Sequence, residues 1–279
     1  MSLPQHSGTS SASVASGSSF YAAMRILPPA QRQAMYAVYA FCRAVDDIAD
    51  EEGPTEGRLA RLDRWRGDIE RLYAGGGETE LTEGLQPLIA AFGFAKADFL
   101  AVIDGMEMDV TGVTRAPDWA MLDLYCDRVA SAVGRLCVRI FGLADKDGLP
   151  LSHHLGRALQ MTNILRDLDE DAAMGRLYLP REALAEAGIA SQDPFEVLSH
   201  PALNDACRVL AARARSHFDA AEAVMARCGR GSVRSPRLMA AVYRAMLDRL
   251  ISRGWRPPRH KLRHSVPTVI WAVFRHGLL

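Results

Sequence analysis

The sequence predicts an all-α fold, on three observations. Apolar residues recur at helical spacing along most of the chain, runs of period two are scarce, and the breaks carry turn chemistry: RAPD at 115–118, KDGLP at 146–150 and GRGSVRSP at 229–236. Apolar residues make up 49% of the 279 positions, enough for a large core, and no Gly/Ser linker divides the chain. The expected architecture is one all-helical domain over 18–279, with about eight to ten helices, behind a disordered Ser/Gly-rich tail at 1–17.

In chain order, the first helical pattern covers about 30–52. The second, 55–74, places Leu59, Leu62, Trp65, Ile69 and Leu72 on one face, with Thr55 as its cap and Gly75, Gly76 and Gly77 as its stop. Further patterns run through about 96–112, 119–142, 151–174, 201–227 and 236–252. The apolar stretch GLQPLIAAFGFA (84–95) falls short of the roughly 18 residues a membrane span needs. The tail has neither the basic start nor the apolar run of a signal peptide.

Charge and cysteine usage narrow the function. The 33 basic residues balance 33 acidic ones, so no general basic field for nucleic acid exists. Five scattered cysteines without a CxxC argue against a disulfide framework or a zinc ribbon and fit a reducing cytosol. A cytoplasmic protein is expected. The final segment, SVPTVIWAVFRHGLL, is too short to span a bilayer but apolar enough to touch lipid, so peripheral contact with the inner face of a membrane is compatible with it.

Two acidic helix faces carry the chemistry. In YAFCRAVDDIAD, Asp46 and Asp50 are four apart, which puts them on one face about 6 Å apart along the axis. Tyr39 and Arg43 share that face, whereas Asp47 points roughly 100° away. In QMTNILRDLDED the pattern repeats: Asn163, Asp167 and Asp171 stand at i, i+4 and i+8, Gln160 precedes Asp167 by seven, and Arg166 flanks the stripe. Crowded carboxylates repel, and hard oxygen ligands of this kind suit Mg2+ bound together with substrate phosphates. A lone DxxxD is usually a solvated helix face; two of them with amide, aromatic and arginine residues in phase inside apolar helices are not. Other metal readings fail on spacing. An EF-hand loop from Asp167 would need Gly and Glu where Ala172 and Tyr178 stand, and no Glu-x-x-His occurs for a di-iron bundle.

CRAVDDIAD, YCDRVASAVG, NILRDLDED and GRLYLP, in this order, resemble the squalene/phytoene synthase family of head-to-head prenyl synthases, from about Ser18 to near Arg259. SSFYAAMRILPP, IDGMEMD and NILRDLDEDAAMGRLYLPRE are most similar to bacterial members of hopanoid pathways. The resemblance implies an isoprenoid-synthase helical bundle with a central apolar cavity. It implies Mg2+ on Asp46, Asp50, Asn163, Asp167 and Asp171, and diphosphate contacts from Arg43 and Arg166. Tyr39, Gln160 and Tyr178 match polar cavity positions, and Ser19 and Phe20 match an N-terminal flap in which Gly17 replaces a serine of some relatives. The basic run RGWRPPRHKLRH resembles a C-terminal stretch of relatives and reads equally as a solvated loop.

The implied reaction joins two molecules of farnesyl diphosphate to presqualene diphosphate, releasing diphosphate, with Tyr39 and Tyr178 as candidates for taking up the proton. The product would pass to the next enzyme of the squalene pathway. Phytoene or dehydrosqualene synthesis remains open, as does a non-catalytic scaffold, although both DxxxD pairs are intact. No NADPH is expected, because GRGSVR at 229–234 lacks a third glycine and follows no strand. Candidate cavity walls are Val102, Ile103, Met106 and Val110 on one helix and the small residues Ala130, Ala132 and Gly134, which read equally as close helix packing.

Overall fold

The structure, a computed structural model, describes Met24, residues 27–80, residues 82–260 and Leu262. The tail at 1–17, Ser19, Phe20 and the terminal segment 265–279 lie outside the described residues.

Among the described residues there are twelve bounded α-helices, one π-helical segment and no strand. They are α1 (Pro29–Asp50), α2 (Thr55–Tyr73), α3 (Leu85–Phe92), α4 (Lys96–Thr111) and α5 (Trp119–Cys126). The π segment Asp127–Ser131 comes next, then α6 (Ala132–Ile140), α7 (Asp145–Arg166), α8 (Leu168–Ala173), α9 (Arg181–Glu186), α10 (Pro194–Ser199), α11 (Leu203–Ala226) and α12 (Arg234–Arg253). The count exceeds the expected eight to ten for two reasons. The pattern at 119–142 is divided by the π segment and that at 151–174 breaks at Asp167, while α3, α9 and α10 are too short to register a period. Thr55 is a helical residue rather than a cap; Pro54 holds the cap position without a side-chain bond.

Two apolar cores form. One is built from α1, α2, α4 and α6, where Phe41 meets Trp65 and Phe99 edge-on with centroids 5.4 and 5.0 Å apart. The other gathers α7, α11 and the short helices α8–α10 around Leu165, Leu179, Leu210 and Phe218. Helix α6 serves both, giving Leu136 and Ile140 to the first and Val138 to the second. Val102, Ile103, Met106 and Val110 are in the first core, so the expectation that they wall the cavity is corrected: their face of α4 packs against other helices.

The small residues before and within α6 bring helices close. A Cβ on Gly156 would lie 2.7–2.8 Å from Ser131 atoms, two of them backbone, and one on Gly134 would lie 2.9 Å from the Ser152 Cβ. Both spacings are below any ordinary contact, so glycine is required for α7 to press against α6 and the π segment. Ala130 and Gly134 also reach the cavity wall, whereas Ala132 is fully buried in the first core. At the far end of α7, the Trp255 indole donates to the Leu165 carbonyl at 2.8 Å, satisfying one of the acceptors a helix C-terminus leaves open. Among the described residues no helix is long and apolar enough to cross a membrane.

Candidate active site

Helix α1 buries Met35, Val38, Phe41, Val45 and Ile48 at three- and four-residue spacing. That face fixes its rotation, so Tyr39, Arg43 and Asp46 turn toward a cavity of about 500 Å³. From the opposite side α7 presents Gln160, Asn163 and Arg166 to the same cavity. Apolar side chains such as Met35, Val133, Phe141, Leu155, Leu159 and Met239 line the remainder. This is the expected division of labour: a polar rim above an apolar interior, within the size range of small-molecule sites.

The second acidic face survives a break in its helix. Asp167 leaves helical geometry (φ −104°, ψ 18°), separating α7 from α8. Its N–H still donates to the Asn163 carbonyl at 2.9 Å, and the Asp171 N–H donates to the Asp167 carbonyl at 2.9 Å. The i, i+4, i+8 register of Asn163, Asp167 and Asp171 therefore persists through the bend.

Arginines hold the carboxylates. Arg43 bridges Asp46 (3.0 Å) and Asp47 (2.7 Å), so Asp47 is nearer to the site than its helical phase suggests. Arg166 donates to Asp167 at 2.9 Å. Arg176, in the loop after α8, donates to Asp50 at 2.7 Å and to the Ala49 carbonyl at 2.8 Å, while its own N–H donates to the Asp171 carbonyl at 2.8 Å. One residue thus ties the end of the first acidic face to the second. Asp50 and Arg176 border a separate polar hollow of about 510 Å³, and neither lines the main cavity.

The charge balance of the site is incomplete. Burial, then the neighbouring Asp50, pushes the Asp46 carboxyl up to about 6 against the pull of Arg43 and Arg176. Burial, then Asp167, pushes Asp171 up to about 8, with Arg176 opposing. Asn163 Oδ1 is buried and accepts no hydrogen bond. An orphaned amide oxygen beside repelling carboxylates is the donor set a hard divalent cation satisfies. Among the described residues no three of these carboxylates bring oxygens within 4.8 Å of one another. The two faces stand apart, which suits an ion that takes one or two carboxylates and completes its shell with phosphate and water.

Tyr178 is placed differently from the expectation of a cavity-lining residue. It is buried, stacks on Tyr125 with centroids 4.9 Å apart, and donates its hydroxyl to Asp109 at 2.7 Å. Tyr125 donates to the other Asp109 oxygen at 2.9 Å. Burial, then the Asp109 charge, raises the Tyr178 phenol well above its usual range, so the residue keeps its proton. Arg176, Asp109, Tyr125 and Tyr243 did not emerge as site residues from the sequence. Tyr243 lines the cavity and hydrogen-bonds Arg166. The available signal was an acid, Asp109, between Met108 and Val110 on an apolar helix, and the arginine inside GRLYLP. From the C-terminal basic run, Arg259 clasps Asp169 and the Leu198 carbonyl (3.0 Å), so this cation ties the segment just after α12 to α8.

Comparison with known proteins finds matches along nearly the whole chain. The squalene/phytoene synthase family profile matches residues 14–268. A presqualene diphosphate synthase of Rhodopseudomonas palustris is 58% identical over 266 residues, covering 95% of each chain. One from Sinorhizobium fredii is 53% identical over 267 residues, covering 96% of this chain and 95% of its own. A solved squalene synthase of Alicyclobacillus acidocaldarius superposes with a TM-score of 0.77 at 30% identity, over 85% of this chain and 89% of that one.

Proposed function

The chain belongs to the squalene/phytoene synthase family, and from that premise we propose that it is a prenyltransferase joining two molecules of farnesyl diphosphate head to head. The product is presqualene diphosphate, and one diphosphate is released. The observation that carries the reading is the cavity: the Asp46 carboxylate, the Gln160 and Asn163 amides and the arginines Arg43 and Arg166 from α1 and α7 at its rim, hydrocarbon below.

Asp46, Asp50, Asn163, Asp167 and Asp171 would hold Mg2+. Bound there, the ion supplies charge neutralisation for a diphosphate leaving group. Arg43 and Arg166 stand at the cavity rim, where a guanidinium can take up phosphate oxygens. They can exchange their present carboxylate partners for phosphate without leaving the rim. The apolar wall excludes water from an allylic cation, which water would otherwise capture. Loss of diphosphate breaks the C1–O bond of one substrate. The C2=C3 bond of the second attacks C1, and loss of one proton closes the cyclopropane. Tyr39 lines the cavity and is the better-placed tyrosine for that proton; Tyr178 already donates to Asp109. No reductant is required for this product, so NADPH has no role.

The test is incubation of purified protein with labelled C15 and C20 diphosphates and Mg2+, with and without NADPH. Presqualene diphosphate from the C15 substrate alone, unchanged by NADPH, is expected. Phytoene from the C20 substrate, or reduced squalene dependent on NADPH, would overturn the assignment.

A further inference from the structure

A second cluster of metal-ligating side chains lies away from the cavity. His153 and His154 are adjacent on α7, and His217 stands on α11. None of the three lines the substrate cavity. Their ligand atoms all lie within 4.8 Å of one another, the only such His/Cys/Asp/Glu group among the described residues.

The closest pair already has chelate spacing. His154 Nδ1 and His217 Nδ1 are 3.1 Å apart. Two imidazoles on one zinc at 2.0–2.1 Å in a tetrahedron place their nitrogens about 3.3 Å apart. His153 is exposed, so its ring can turn inward and leave a fourth position to water. The nearest charge, Arg157, disfavours positive charge on all three imidazoles, but it is itself offset. Arg157 is gripped by both Asp123 oxygens (2.7 and 2.8 Å) and by Asp127 (3.2 Å), so its positive charge is met by two carboxylates. Asp98 and Asp127 likewise answer Arg135.

We propose that His153, His154 and His217 form a site for a divalent transition metal, zinc foremost, that clips α7 to α11 on the side of the bundle away from the substrate cavity. Imidazole ligands select zinc, copper or nickel over magnesium, so this site and the aspartate rim take different ions. α7 also carries Asn163, Arg166 and the approach to Asp167, so the clip braces the helix that presents the second acidic face. The rival arrangement is a simple Nδ1–H···Nδ1 hydrogen bond between His154 and His217, with no ion.

The experiment is calorimetric titration of the full, untagged chain with ZnCl2 in excess Mg2+, which occupies oxygen-rich sites, with thermal melts in parallel. One zinc per chain is expected, together with a rise in Tm, because a ligand that binds only the folded state stabilises it. His217→Gln and His154→Gln should each weaken zinc at least tenfold and abolish the Tm rise. His153→Gln should weaken it less, and without added zinc none should alter Mg2+-dependent activity. Should one glutamine variant fail to fold, the other carries the test. Absence of saturable zinc binding, or binding equally strong in both variants, overturns the proposal.

Discussion

At the scale of single residues, the site contains carboxylates held above their ordinary range, and this has a measurable sign. The Asp171 carboxyl rises from 3.8 to about 8 on folding, so between those pH values the folded chain keeps a proton that the unfolded chain has lost. Stability from this group is therefore greatest below about pH 4 and falls as pH rises toward 8. Taking about 1 kcal/mol as what solvent and relaxation leave of it, Asp171→Asn should raise the metal-free Tm at pH 8.5 by about 2–4 °C. It should also flatten the difference in Tm between pH 6 and pH 9 while removing turnover. Thermal melts of both proteins across that range check this; a lower Tm for the variant at pH 8.5 would contradict it. Tyr178→Phe tests a different role. Its hydroxyl donates to Asp109, and deleting a bond to a charged group costs about 2 kcal/mol, read as a lower urea midpoint. Loss of turnover without loss of stability would instead return Tyr178 to proton transfer.

At the scale of elements, the long helices were legible because each buries one face. The pattern Met35, Val38, Phe41, Val45 in α1 is the same pattern that sets Asp46 toward the cavity. The break at Asp167 was not legible. It depends on where α8 turns to meet α10, and nothing in NILRDLDED marks it; the register survives because the i to i+4 bonds continue on both sides. The small residues of RVASAVG had two readings, and the structure uses both, with Ala130 and Gly134 at the wall and the Ser131–Gly156 contact as packing. Gly156→Ala must move Ser131 backbone, and overpacking of this kind costs about 2 kcal/mol. The expected Tm decrease is about 4–8 °C. Gly57→Ala, with open space around its Cβ, should show no such loss and serves as the control.

At the scale of the molecule, two apolar cores enclose a hollow that neither fills, and both contribute to its wall. An all-helical bundle could be read from periodicity, and the two acidic faces from spacing. That Asp46 of the first segment and Asn163 and Arg166 of the second line one cavity could not, because the two segments are joined only through tertiary packing. The same holds for Arg176, whose partner Asp50 is 126 positions away. The account rests on the two faces acting together on one diphosphate-bearing substrate. The most direct measurement is Mg2+-dependent turnover of farnesyl diphosphate by Asp46→Asn and Asp167→Asn, each shown to be folded by its melt. Each variant should retain less than about 1% of wild-type turnover, a loss of the size seen when one electrostatic contact to a transition state is removed. Wild-type turnover in both variants would contradict the account.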